Sequence, residues 1–164
     1  MSDASARSTQ GEPVIVEMTP ADYDEVLALW HTDPGVGVSD ADDRPGIERC
    51  LARNPGLSFV ARAGGRVVGA VLGCDNGRRG MLTHLLVAAA YRGRGVGRRL
   101  AERSLAAMRA AGLRRCNIMV FGANESGRGF WRHLGFEDRQ EVVWMTQPLV
   151  PGGTDGCEAH RRQG

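Results

Sequence analysis

The residues best equipped for chemistry stand together between Leu85 and Arg98. An apolar run, Leu85-Leu86-Val87-Ala88-Ala89-Ala90, reads as a buried strand. It gives way after Tyr91 to Arg92-Gly93-Arg94-Gly95-Val96-Gly97-Arg98. Val96, Leu100, Ser104, Leu105 and Met108 then follow at helical spacing. Strand, glycine turn and helix N-terminus in that order make an anion site. The first N–H groups of a helix lack intrahelical partners, and its dipole favours negative charge. Glycines let the backbone approach a ligand closely, and arginines add charge-assisted bonds. The chemistry implied is main-chain capture of a phosphate or pyrophosphate.

Three phosphate loops compete for this segment. A P-loop needs Gly-Lys-Ser/Thr after its glycines, and the chain contains no lysine. A dinucleotide loop needs G-x-G-x-x-G, but the sixth position from Gly93 is Arg98. The third is the R-x-x-G-x-G/A loop of the GCN5-related N-acetyltransferases, the GNAT family. Arg92-Gly93-Arg94-Gly95-Val96-Gly97 is similar to it in every fixed position. Upstream, His84-Leu85-Leu86-Val87 resembles that family's fourth strand. Downstream, Asn124 and Phe130-Trp131-Arg132-His133-Leu134-Gly135-Phe136 resemble its second signature. The resemblance covers residues 14–148.

The resemblance implies an α/β fold, an α+β mixed sheet in the order β-α-α-β-β-β-α-β-α-β, with two parallel strands splayed around acyl-CoA. It implies an N-acyltransferase that moves an acetyl group from acetyl-CoA to a primary amine by direct attack in a ternary complex. By this likeness the Leu85 backbone N–H polarises the acyl carbonyl, and Leu86 and Val87 run beside the pantetheine. Arg92, Gly93, Arg94, Gly95, Val96, Gly97 and Arg98 hold the pyrophosphate, while Asn124 and Trp131 meet the pantetheine. Asn124 also reads as an ordinary helix cap. Trp131 departs from the family, many of whose members place a tyrosine there to protonate the leaving thiolate. An indole N–H is a donor but not a useful acid. The general acid is therefore unassigned.

So is the base. Relatives carry Glu or His on the strand face of Leu85, where strict alternation would place Met81 and Thr83. The same alternation puts His84 on the opposite face, as a packed histidine, and His133 reads as a surface residue. His31, Asp33, Asp40, Asp42 and Asp43 lie on the loop that borders the acceptor site by resemblance. Its acidity favours a cationic small-molecule or peptide amine. A CoA-binding sensor or regulatory module without turnover is the alternative, and a nucleotide-binding module a further one.

These groups need elements to position them. Thr19-Pro20-Ala21-Asp22 opens a helix that carries Val26, Leu27, Leu29 and Trp30 inward. Thr32–Pro45 is a loop, and residues 47–54 a short helix. Strands over 57–62 and 67–74 join at Gly64-Gly65, and strands at 81–87 and 115–121 flank the long helix. Asn124–Leu134 is a helix, and Val142–Thr146 a last strand. The expected organisation is a flexible arm over 1–12, one transferase domain over 13–148 and a disordered tail over 149–164.

Composition bounds the rest. The chain has 164 residues, 42% apolar, and a formal net charge of +2. It offers no broad basic field for nucleic acid. Without lysine it has no Schiff-base chemistry. Cys50, Cys74, Cys116 and Cys157 are scattered and read as reduced thiols rather than metal ligands or nucleophiles. No apolar run of roughly 18 residues or signal-like start is present. The expectation is a cytoplasmic protein without a metal or membrane partner, and a homodimer is left open.

Overall fold

The computed structural model describes residues 11–153. The strands are β1 (Val14–Glu17), β2 (Phe59–Ala63), β3 (Arg66–Asp75), β4 (Gly80–Val87) and β5 (Cys116–Ile118). The helices are α1 (Tyr23–Trp30), α2 (Arg44–Arg53), α3 (Val96–Ala110) and α4 (Glu125–His133). The sheet order is β1-β2-β3-β4-β5. The first three pairings are antiparallel, and β4 pairs with β5 in parallel across the α3 crossover. The expected element order thus holds from β1 through α4.

Local chemistry accounts for the element starts. Thr19 and Asp22 form a capping box around a 3-10 turn, Pro20–Asp22, that leads into α1. The Asp22 carboxylate also pairs with Arg62 on β2. Burial alone would raise its pKa, but the Thr19 backbone bond and Arg62 outweigh this and hold it below the usual carboxylate range. Gly64 and Gly65 both take positive φ, 56° and 78°, which suits a two-residue hairpin between β2 and β3. The loop from Thr32 contains two further 3-10 turns, Pro34–Val36 and Asp40–Asp42.

The sheet is covered on both faces. On one, α3 buries Val96, Leu100, Ala101 and Met108 against Phe59, Ala61, Val71 and Leu82. On the other, α1 and α2 bury Val26, Leu29, Trp30 and Ile47 against Val60, Ala70, Leu72 and Leu86. Ser104 brings a hydroxyl into the first core. It is fully buried, and its hydroxyl donates to the Leu57 carbonyl at 2.5 Å. Ser104→Ala is expected to cost about 1–3 kcal/mol, because it leaves that buried carbonyl short of a donor. Urea unfolding will measure it as a lower midpoint at unchanged slope.

Two strand expectations are corrected. Val142–Thr146 is not a strand. The segment is irregular, with Val143 and Met145 80% and 87% exposed. Asp138, at the start of this stretch, is tied to Arg128 and Arg132 on α4 rather than to the sheet. The neighbouring β5 edge also offers only three residues to pair with. Second, β5 stops at Ile118, short of the expected Phe121, because its ladder with β4 ends at Leu82↔Ile118. The expected arm and tail fall largely on 1–10 and 154–164, outside the described residues, as does Cys157.

Candidate functional site

A register shift in β4 builds the site. Ala70 pairs with Leu86, but Leu72 pairs with Thr83. His84 and Leu85 therefore stand together opposite Val71, a β-bulge. His84 has φ +54°, a left-handed conformation that no other non-glycine among the described residues adopts. The Trp30 indole N–H donates to the His84 carbonyl at 2.9 Å, supplying a partner inside the broken ladder.

The bulge corrects the alternation argument. Thr83 pairs with Leu72, a member of the α1-side core. Leu85 packs instead against the α3-side core, with Val87. Thr83 and Leu85 therefore do not share a face. His84 points with Thr83 toward α1, its ring 4.6 Å from the Trp30 ring. The extra residue reverses the parity of everything after it.

Beyond Leu82 no pairing joins β4 to β5. The two chains part around a cleft of about 670 Å³. Leu85, Leu86 and Val87 line one wall, and Met119 and Val120 come from the chain after β5. Arg92, Gly93, Gly95, Val96, Gly97 and Arg98 line its mouth, while Asn124 and Trp131 reach it from the α4 side. Arg94 does not line it; its guanidinium lies over the Tyr91 ring, 5.4 Å from the centroid. Ser126, Gly127, Phe130 and Leu134 line it as well. Their helical spacing around Trp131 was the available signal for them.

At the mouth the backbone is bare. Gly93 and Gly95 have φ of +72° and +75°. Gly95 caps α3 without any side-chain hydrogen bond, and the first α3 bond is Arg99 N–H to Gly95 O at 3.0 Å. The N–H groups of Val96, Gly97 and Arg98 thus begin a four-turn helix facing the cleft, a ready anion site.

The arginines have different duties. Arg92 donates from Nε to the Val87 carbonyl at 2.8 Å and from its terminal nitrogen to Asp33 at 3.2 Å. It staples the loop to β4 and to the α1–α2 connection. Arg98 pairs with Glu102 at 2.7 Å and is well exposed. Arg99 turns away, to Glu12 and the Pro13 carbonyl. Asn124 caps α4, its Oδ1 accepting from Gly127 N–H at 2.8 Å. Trp131 is buried edge-on against Phe130 and Phe136, each at 5.1 Å.

The acids of the α1–α2 loop are largely engaged. Asp33 accepts from Gly35 N–H and Asp43 from Gly46 N–H. Asp42 is buried, accepts from Ser39 N–H at 2.7 Å, and lies 3.2 Å from His84 Nε2. Burial alone would raise its pKa, but His84 and the Ser39 bonds outweigh this and hold it low. Burial pushes the Cys50 and Cys74 thiols up, and Cys116 to about 11. They stay protonated at neutral pH, and none of the three lines the cleft. Among the described residues no cluster is arranged to hold a metal ion, and no helix is long and apolar enough to cross a membrane.

Comparison with known proteins gives the same outline. Residues 23–136 match the model of the acetyltransferase (GNAT) family. An acetyltransferase of Sodalis glossinidius is 33% identical over 129 residues, 79% of this chain and 90% of the relative. One of Yersinia pestis is 35% identical over 130 residues, with the same coverage. Among solved structures, Ard1 from Thermoplasma volcanium superposes with a TM-score of 0.68 at 21% identity, covering 77% of this chain and 84% of its own. The aminoglycoside acetyltransferase AAC(6')-Iy, in complex with a CoA-linked bisubstrate analogue, gives 0.68 at 21% identity, over 85% of this chain and 100% of its own.

Proposed function

The chain belongs to the GNAT family of acetyltransferases, and from that premise we propose that its cleft holds acetyl-CoA while a primary amine attacks the thioester directly in a ternary complex. Acetyl-CoA is the co-substrate and an amine the acceptor. The observation that carries the reading is the uncapped α3 N-terminus behind Gly93 and Gly95, opening on a cleft whose wall is the unbridged end of β4. The pyrophosphate sits on the N–H groups of Val96, Gly97 and Arg98, with Arg98 swinging from Glu102 to meet it. Pantetheine runs along Leu86 and Val87, past Asn124 and Trp131. The Leu85 N–H polarises the acetyl carbonyl, where a preorganised donor stabilises the charge that develops. Arg92 keeps the loop in place, and Arg94 remains on Tyr91 outside the contact. Positioning supplies much of the rate.

The acids of the α1–α2 loop also have structural duties. Asp33, Asp42 and Asp43 make internal bonds but keep their negative charge, which suits an amine that arrives as ammonium; the acceptor is proposed as a primary amine. Thermal unfolding with saturating acetyl-CoA, NAD or ATP tests the binding half. The expected shift is with acetyl-CoA alone, and a shift with only NAD or ATP overturns the reading. An amine panel read by mass and free-thiol release tests transfer.

Trp131→Tyr probes the exit of the thiolate. Both rings bury apolar area and carry one polar group, so the variant should fold. A thiolate leaves without a strong acid, so turnover should change by no more than about tenfold, ~1.4 kcal/mol. A hundredfold gain would show that an acid at this position had been limiting.

A further inference from the structure

We propose that His84, backed by Asp42, is the base that takes the proton from the acceptor amine, an inference that rests on acetyl transfer in this cleft. Met81 and Thr83 carry no basic group. The bulge instead sets His84 against the cleft, immediately before Leu85. Its ring is fixed by Trp30 on one side and by the buried Asp42 on the other. Asp42 is itself anchored by the Ser39 N–H and hydroxyl.

The ring nitrogens supply the second observation. Nε2 lies 3.2 Å from Asp42 Oδ1, but off the line of a hydrogen bond, and both nitrogens are buried without a hydrogen-bond partner. A desolvated, unpaired imidazole is costly to fold around, and a site of proton transfer is one reason for a fold to keep it. With its hydrogen on Nε2, the nitrogen beside Asp42, the ring leaves Nδ1 as the acceptor; Nδ1 is itself buried, so the amine's proton reaches it through a local opening of the cleft wall. Other titratable groups lie nearby, and Tyr23 on α1 donates its hydroxyl to the Asp42 backbone carbonyl at 3.0 Å. Asp33 is paired with Arg92, His133 on α4 has Nδ1 2.7 Å from the Gly129 carbonyl, and Cys50 on α2 is kept neutral by burial.

The step balances as follows. An amine arriving as ammonium gives one proton to His84, and the imidazolium is held by the Asp42 carboxylate. The freed lone pair forms the C–N bond at the thioester carbonyl. The C–S bond breaks with its electron pair on sulfur, and the nitrogen's surplus proton leaves with that thiolate as CoA thiol.

The test compares wild type, His84→Asn, His84→Gln and Asp42→Asn on two nucleophiles. One is a strongly basic primary amine, and the other is a hydrazine that is neutral at the assay pH. Asparagine suits the left-handed backbone at this position. On the basic amine His84→Asn should lose about a hundredfold in kcat, keep its KM for acetyl-CoA within about threefold, and lose the acid limb of the kcat/KM profile. On the hydrazine it should lose less than about tenfold, since no prior deprotonation is needed. Asp42→Asn should fall between. A merely structural role would cut both nucleophiles equally. That result overturns the proposal, as does turnover within about fivefold of wild type with the acid limb in place. Should neither His84 variant fold, wild type still decides. An acid limb beyond the amine's own ionisation, seen with the basic amine and absent with the hydrazine, supports the proposal, and its absence with both overturns it. A wild type that binds acetyl-CoA but acetylates no amine overturns the transfer reading itself.

Discussion

Gly95→Val is expected to weaken acetyl-CoA binding by about a hundredfold or more, ~2.7 kcal/mol, and to cost the fold less than that. Gly95 sits at φ +75°, ψ 7° as the N-cap of α3. A β-branched residue in this left-handed region carries strain of about 1–2 kcal/mol. The rest of the effect is steric and falls on the ligand. A Cβ added at Gly95 meets no protein atom within 4 Å, because it projects into open space at the cleft mouth. On the proposed reading, that space is where phosphate oxygens approach the bare N–H groups of α3. Gly97→Ala is the control. Its Cβ would lie 3.5 Å from Val87 and 3.6 Å from Phe130, an ordinary packing distance, in a helical conformation that alanine favours. Calorimetric titration with acetyl-CoA, beside urea unfolding of each apo variant, separates the two effects. Binding by Gly95→Val within threefold of wild type would show that the loop does not cradle the ligand.

Gly73→Ala should be the most damaging single methyl group in the core, at about 3 kcal/mol or more. Gly73 lies on β3 beneath α3. A Cβ there would stand 2.2 Å from the Leu57 carbonyl oxygen and 2.8 Å from the Ser104 hydroxyl. Neither can retreat cheaply. The Leu57 oxygen is backbone and already accepts from Ser104 at 2.5 Å. Ser58 completes the cluster, its hydroxyl accepting from Gly73 N–H at 2.9 Å and donating to the Gly73 carbonyl at 3.2 Å. A methyl group would force the lead-in to β2 away from β3 and break bonds that are wholly buried. For a domain of this size the loss corresponds to a fall in Tm of about 6–12 °C, read by thermal unfolding. Gly69→Ala offers the contrast, since its tightest contact is the movable Leu100 Cδ1 at 3.0 Å. A Gly73→Ala protein within about 1 kcal/mol of wild type would mean that β2 and β3 separate more easily than the geometry implies.

Most of the architecture was legible because its causes are local. The Thr19-Pro20 start of the first helical segment, the Gly64-Gly65 hairpin, and the helix from Val96 follow from capping chemistry, positive-φ turns and periodicity. The bare helix N-terminus behind Gly93 and Gly95 was equally readable, because a helix start behind glycines has the same electrostatics wherever it is placed. Individual arginines were not separable in that way. Arg92, Arg94, Arg98 and Arg99 look alike in sequence. Their duties differ because Val87, Tyr91, Glu102 and Glu12 lie beside them in space.

Order of elements from β1 through α4, turn chemistry and family motifs were thus determined by the amino-acid sequence alone, since each depends on residues a few positions apart. Tertiary structure alone decided the bulge at His84–Leu85, the parting of β4 from β5 after Leu82, and the exposure of Val142–Met145. Each of these is a question of which backbone groups find partners across the sheet. A strand's own residues are silent on that, because one inserted residue reverses every side chain beyond it without changing the local pattern. The contact of His84 with Asp42, 42 positions earlier in the chain, follows from that single shift in register.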